Sequence, residues 1–199
     1  MFLQRAILSS VLITGLLGGT QLMHGASKHI IFRFPLAPLA WRVVNDTVMG
    51  GRSRSRGVEG EESLLFEGQL SLENNGGFTS IRSSTIGTLS AESSDIQLRV
   101  RGDGRAYQLL LQTMRTRRGV SYQHSFETRA GEWVVVELPL SAFRAKWRGR
   151  FVAGAPQLGA EDIRSVGFLL ADKIAGPFRL EIAEISALTF GAGAAHGAP

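Results

Sequence analysis

From Ile31 onward, apolar and polar residues alternate with a period of two, and this restricts the chain to strands. Leu64, Phe66, Gly68, Leu70 and Leu72 fall on one phase, with Leu65, Glu67, Gln69 and Ser71 on the other. Ile96, Leu98 and Val100 alternate in the same way with Gln97, Arg99 and Arg101. Successive side chains of an extended backbone point to opposite faces, so each segment reads as a strand buried on one side. Residues 107–114, 121–128, 133–138 and 166–171 continue the series. Residues 178–190 change phase after Ile182, as a bulge requires. About nine strands are expected. With 24 glycines and only 8% aromatics, the chain fits an all-β domain of two antiparallel sheets packed face to face, a sandwich or jelly roll.

Turns are expected where Gly and Asn tolerate positive φ. Asn74-Asn75-Gly76-Gly77, Gly102-Asp103-Gly104 and Arg118-Gly119 each read as a hairpin joining consecutive strands. Residues 140–159 form the one long irregular connection, and residues 160–164 a single helical turn. One domain covers residues 31–190, with no internal repeat. Residues 191–199, GAGAAHGAP, lack apolar periodicity and read as a disordered tail. At the other end Arg5 leads an apolar segment, residues 6–18, followed by 20–26, which ends in small residues. Residues 1–26 therefore read as an export signal, or alternatively as an uncleaved membrane anchor. Either favours an exported, periplasmic or membrane-associated protein.

Composition removes several chemistries. The chain has no cysteine, which excludes disulfides, thiol nucleophiles and thiolate metal sites. No Gly-x-Ser-x-Gly elbow is present. His124 shares a strand phase with Tyr122 and Phe126 and reads as a packed histidine, while His24, His29 and His196 lie in or near the termini, so no histidine metal set exists. Asp46, Asp103 and Asp172 stand in turn-like segments, where Asp commonly bonds local backbone N–H groups. A hydrolase using Asp103 or Asp172 is the weakest alternative, and no cofactor is expected. The formal charge of +5 comes mainly from scattered arginines without a recognition helix or ribonucleoprotein signature, so nucleic acid is not the expected partner. For ligand binding, Arg99, Arg101, Gln108, Gln112, Gln123 and Glu127 alternate outwards and are expected to line one sheet face, with Tyr107 or Tyr122 available for stacking.

The segment 41–55, WRVVNDTVMGGRSRS, opens a set of spaced blocks. Trp41 with Asn45-Asp46-x-Val48-Met49-Gly50-Gly51-x-Ser53-x-Ser55 resembles the first block of the complex I intermediate-associated protein 30 family. Asn75-Gly76-Gly77-Phe78-x-Ser80-x-Arg82 is similar to its second and Arg101-Gly102-Asp103-Gly104 with Tyr107 to its third. Gly131-Glu132-Trp133, then Leu138-Pro139 and Phe143, are similar to its fourth. Gly149-Arg150, Ser165-Val166-Gly167, Ala171-Asp172-Lys173 and Gly176-Pro177-Phe178 follow in order. The resemblance covers residues 31–188. It implies a galactose-binding-like jelly roll and a non-catalytic role in assembling a membrane complex such as respiratory complex I, with no catalytic residues carried over. An exported carbohydrate- or envelope-binding module is the alternative, since that fold is shared with many glycan binders and fold does not imply function. Asn45, Asp46, Arg82, Arg99, Arg101, Asp103, Tyr107, Gln112 and Gln123 are the candidate ligand or partner surface. Within the opening segment, Trp41 and Val43 are expected in the core, with Asn45 and Asp46 tying a turn that Gly50-Gly51 reverse.

Overall fold

The computed structural model describes residues 27–35, 39–117 and 119–190. The expected leader and tail lie outside these residues, and among those described no helix is long and apolar enough to cross a membrane. Thirteen strands run β1 (Ser27–Arg33), β2 (Trp41–Asn45), β3 (Arg54–Glu59), β4 (Leu64–Leu70), β5 (Thr79–Ser83), β6 (Asp95–Arg101), β7 (Ala106–Thr113), β8 (Val120–Glu127), β9 (Trp133–Pro139), β10 (Arg144–Trp147), β11 (Arg150–Phe151), β12 (Ile163–Leu170) and β13 (Gly176–Thr189). They form two sheets. One is six-stranded, in the order β3-β4-β13-β6-β9 with β1 also pairing β13; the other is seven-stranded, β11-β10-β8-β7-β12-β5-β2. Every strand pairing is antiparallel. This is the all-β sandwich that the alternation predicts.

The alternation decides which side of each strand enters the core. Ile96, Leu98 and Val100 of β6 oppose Tyr107, Leu109 and Leu111 of β7, and all six are fully buried. Burying each such side chain contributes about 1.5–3 kcal/mol. In β13, Phe178, Leu180 and Ile182 point inward, the register to β6 shifts between Ile182 and Glu184, and Ile185 and Ala187 then resume the inward phase. The predicted phase change is a real bulge. It lets one 14-residue strand stay buried on one side while bending across the sheet.

The connections differ from expectation. Asn74, Asn75, Gly77 and Gly104 do have positive φ, but neither turn is a hairpin. The first carries the chain from β4 to β5 and the second from β6 to β7, each time into the other sheet. Among the described residues only β3–β4, β7–β8 and β10–β11 are consecutive strands paired with each other. Local dihedral preference fixes that a chain turns; it does not fix which strand it pairs with next. Residues 140–159 are likewise not irregular throughout, because they hold a helical turn, Leu140–Ala142, and the edge hairpin β10–β11. The helical turn at Ala160–Asp162 is as expected.

The segment 41–55 is one of these crossings, from β2 to β3, and its polar residues hold the two sheets together. Asp46 begins a one-turn 3-10 helix, Asp46–Met49, ended by Gly50 in the left-handed region at φ 86°. The Asp46 carboxylate is fully buried. It accepts hydrogen bonds from the Ser53 amide at 3.0 Å, the Ser53 hydroxyl at 2.6 Å, the Gly77 amide at 2.7 Å and the Phe78 amide at 3.3 Å. Beside it, the Asn45 Oδ1 accepts from the Ser55 hydroxyl of β3 at 2.7 Å and the Thr79 hydroxyl of β5 at 2.6 Å. Three stretches distant in sequence thus meet on two neighbouring side chains. Asn45 and Asp46, expected on a ligand or partner surface, serve the fold here: their oxygens accept from the protein's own donors.

The glycine pair divides its duties in a way the sequence does not reveal. Gly50 supplies the left-handed turn, whereas Gly51 supplies space: a Cβ there would lie 2.3 Å from Asp46 Cγ and 2.4 Å from its Oδ1. Burial pushes the Asp46 carboxyl up, but the hydrogen bonds from Ser53, Gly77 and Phe78 outweigh it and hold it below the ordinary carboxylate value. Folding therefore favours the ionised form. Its contribution to stability is present above about pH 4 and is lost as pH falls through the lowered folded value.

Asp46→Asn is expected to destabilise the domain by about 3 kcal/mol at neutral pH, because a carboxamide cannot accept all four hydrogen bonds. The loss should shrink as pH drops below about 4, and urea unfolding at several pH values measures both; a pH-independent difference would contradict the account. Gly51→Ala should cost about 2 kcal/mol by overpacking against Asp46, read as a lowered melting temperature, while Gly87→Ala, where a Cβ meets nothing within 4 Å, should leave it nearly unchanged.

Candidate functional site

The two outer faces of the sandwich carry charge in opposite ways. On the six-stranded sheet, cations and carboxylates are interleaved. Glu184 accepts from Lys28 at 2.5 Å and Arg33 at 2.6 Å, Glu181 from Arg101 at 2.7 Å and Arg179 at 3.2 Å, and Glu67 from Arg56 at 2.5 Å and Arg179 at 3.1 Å. Burial raises the Glu181 and Glu184 carboxyls, but these arginine and lysine hydrogen bonds prevail and hold both below the ordinary range. The Arg99 and Arg101 guanidinium carbons lie over the Trp133 ring, 4.6 and 4.7 Å from its centroid. Most cations of this face are thus matched by its own side chains.

On the seven-stranded sheet the antiparallel register aligns one row across six strands: Arg42 of β2, Arg82 of β5, Gly167 of β12, Leu110 of β7, Gln123 of β8 and Arg144 of β10. The next row runs Val44, Ser80, Leu169, Gln108 and Ser125. Gln112 pairs Ser165, and the Ser165 hydroxyl donates to its Oε1 at 3.0 Å. Phe151 lies opposite Lys146 at the far edge, 73% exposed. The only carboxylate on the outward phase of these strands, among the described residues, is Glu127 at the end of β8. Arg82, Arg42 and Arg144 have no acidic partner within ion-pair distance among the described residues.

The sequence-predicted surface therefore separates into three places. Arg82, Gln112 and Gln123 come together on the outer face of the seven-stranded sheet. Arg99 and Arg101 lie on the opposite face of the sandwich, so the single face expected to hold all these arginines and glutamines does not exist. Alternation identifies the outward phase within a strand but not the sheet to which that strand belongs.

Asp103 and Tyr107 are structural. The Tyr107 ring is fully buried, and its hydroxyl lies 3.1 Å from both Asp103 oxygens. Burial, reinforced by the Asp103 charge, pushes the phenol up. Asp103 also accepts from the Arg105 amide at 3.1 Å and the Arg179 amide at 2.8 Å. Tyr122 is buried as well, donating to the Pro156 carbonyl, so neither tyrosine offers a stacking surface. Asp172 is held by a bidentate pair with Arg105, at 2.8 and 2.7 Å. His124 packs its ring against Phe143 at 5.4 Å, as its strand phase implies.

A cleft of about 600 Å³ opens at the β2–β5 end of the seven-stranded sheet, lined by Arg42, Arg82, Gln112, Arg117, Arg164 and Ser165 among others. Arg42, Arg117 and Arg164 escaped the sequence reading. Arg42 was visible there as the polar member between Trp41 and Val43, but nothing in the sequence brings β2 beside β5. A second cleft, about 700 Å³, lies on the six-stranded sheet; its lining includes Arg54, Arg56 and Arg179 but also Glu67 and Asp103, so its positive charge is largely offset.

With this geometry in hand, the chain can be set beside known proteins. The family model for complex I intermediate-associated protein 30 matches residues 30–182. The mouse complex I intermediate-associated protein 30, mitochondrial, is 31% identical over 170 residues, covering 75% of this chain and 52% of that protein. A probable complex I intermediate-associated protein 30, mitochondrial, from Caenorhabditis elegans is 38% identical over 93 residues, 45% of this chain and 27% of the relative. The chain thus spans about half or less of the length of these relatives. Among solved structures, a family 11 carbohydrate-binding module of a Clostridium thermocellum cellulosomal cellulase aligns with a TM-score of 0.58 at 16% identity, covering 83% of this chain and 95% of the module. The same family's module in complex with a β-1,3-1,4-mixed-linked tetrasaccharide aligns at 0.55 and 15% identity, covering 82% and 96%. At such identity these likenesses establish the fold alone, the jelly-roll sandwich. Ordered blocks, family match and fold agree: the chain belongs to the complex I intermediate-associated protein 30 family.

Proposed function

We propose that this domain is a non-catalytic binding module that chaperones a membrane protein complex of the respiratory complex I type, and that it docks its client on the outer face of the seven-stranded sheet. The family supports the first half, and one observation carries the second. Arg42, Arg82 and Arg144 of that face have no carboxylate within ion-pair distance among the described residues, while Lys28, Arg33, Arg56, Arg101 and Arg179 of the opposite face are paired with glutamates. A protein surface rich in unpaired arginine steers and orients an acidic partner, and arginine is enriched where interfaces form.

The asparagine and acidic side chains in the family's motif blocks support a binding role over a catalytic one. Asp46, Asp103 and Asp172 spend their oxygens on amides, hydroxyls and a guanidinium of the protein itself. The glycan alternative draws support from the fold likeness and from the amides of Gln108, Gln112 and Gln123 on one face. It is weakened by the burial of Tyr107 and Tyr122, which makes neither ring available for stacking on a sugar.

Gentle affinity purification of tagged protein from its own host, after cross-linking, tests the reading. Subunits of one membrane complex should be enriched with the unaltered protein and reduced about tenfold or more by combined Gln123→Glu and Arg144→Glu changes, since placing negative charge opposite an acidic partner weakens docking by about 1–3 kcal/mol. Arg99→Glu on the opposite face should leave enrichment unchanged. Equal enrichment in all three proteins would rule out this face, and binding to cell-wall glycans with no protein enriched would favour the module alternative.

A further inference from the structure

The Arg82 side chain lies where no protein partner reaches it. Its stem rests over Gly167, where a Cβ would approach Arg82 Cγ to 3.2 Å, and its Nε is buried without a hydrogen-bond acceptor. Directly across the β2–β5 pair stands Arg42. Like charges at opposed cross-strand positions are destabilising, and a half-buried guanidinium cannot shed its proton to relieve the cost. Burial first, then the Arg42 charge, works against the Arg82 cation. Elsewhere the sandwich avoids this arrangement: Arg101, Arg105 and Arg179 each face a carboxylate.

The surrounding lining sharpens the contrast. Arg117 and Arg164 join Arg42 and Arg82 around the same cleft, and no aspartate or glutamate lines it. Arg164 places Nη1 on the Glu161 and Ile163 carbonyls, and the Arg117 guanidinium lies over Trp147 at 5.2 Å, so neighbouring contacts hold both. Gln112 receives the Ser165 proton at its Oε1, which orients the amide and leaves its NH2 as the donating end. The cleft is rich in fixed donors and poor in acceptors.

We infer that this cleft is an oxyanion site that binds a phosphate group of a small ligand or a lipid head group, with Arg82 at its base and Arg42, Gln112 and Ser165 around it. Four guanidinium groups around one cleft match a multiply charged phosphate better than a single carboxylate, and guanidinium forks donate two parallel hydrogen bonds to such oxygens. The site lies at one edge of the docking face proposed above, but its ligand chemistry stands independently of the client.

The full chain is titrated with inorganic phosphate and pyrophosphate at constant ionic strength, so that general screening does not contribute, following heat and melting temperature. Pyrophosphate at about a hundred times its Kd should raise the melting temperature by about 5 °C or more. Arg82→Gln should weaken binding about tenfold or more while leaving the unliganded melting temperature equal or higher, because an unpaired, half-buried cation is replaced by a neutral group. Should that variant fold poorly, Arg42→Gln, at an exposed position, gives the same reading. Arg99→Gln on the other sheet should bind like the unaltered protein. Phosphatidic acid vesicles that capture the protein more than phosphatidylcholine vesicles, with capture lost in Arg82→Gln and soluble phosphates silent, would place the same phosphate chemistry on a lipid. Silence from all these probes, or equal weakening by Arg82→Gln and Arg99→Gln, would overturn the inference.

Discussion

The sandwich depends on fixing the ends of its crossings, because among the described residues only three pairs of consecutive strands bond to each other and every other pairing joins strands that are not consecutive in the chain. The Asp46 carboxylate meets that demand at one edge. It sits where β2 leaves the seven-stranded sheet and where the loop 71–78 returns to it, and it gathers amides from both sides onto one buried charge. Such a group is costly to desolvate and is tolerable only when its oxygens are fully used. That condition forces the loops that supply the donors into one arrangement. Glycine at positions 51 and 76 follows from the same requirement, since a Cβ at either would collide with the carboxylate.

Once the edges are fixed, the two sheets bury their apolar phases against each other and turn their polar phases outward. The outward phases are then free to differ. On the six-stranded sheet, strands β13, β6, β4 and β1 place glutamates opposite arginines and lysines, and the result is a ladder of ion pairs of the partly buried kind. On the seven-stranded sheet, the corresponding positions hold arginine, glutamine, serine and leucine with almost no acid. The first pattern makes a self-contained surface. The second leaves positive charge available to another molecule, and the Arg42–Arg82 juxtaposition concentrates it at one end.

This division also orders the functional readings. Residues of the family's motif blocks, among them Asn45, Asp46, Asp103, Tyr107 and Asp172, mostly build the scaffold, so their presence marks the fold and the family. The side chains that distinguish one face from the other, Arg42, Arg144 and Gln123, stand mostly outside those blocks. Arg82 belongs to both: it closes a motif block and forms the base of the cleft. Within one fold, scaffold and binding surface can therefore carry separate sequence signals, and the likeness to carbohydrate-binding modules at 15–16% identity speaks to the architecture alone.

Much of the architecture was legible in the sequence because it follows from local periodicity. The inward phases of β4, β6, β7 and β8, the bulge after Ile182, the turn residues with positive φ and the turn-forming role of Asp46 all arise from neighbours within a few positions. The sheet to which each strand belongs does not, because pairing is decided by contacts between residues far apart in the chain. Hence the Asn-Asn-Gly-Gly and Gly-Asp-Gly turns carry the correct dihedrals yet join different sheets, and Arg99 and Gln112 share an outward phase yet lie on opposite sides of the molecule. The sequence by itself determined that this protein is an antiparallel sandwich of a recognisable family, since alternation and motif order are local. Only the tertiary structure decided that Arg82 faces Arg42 without a carboxylate, because that meeting depends on strand register across the sheet.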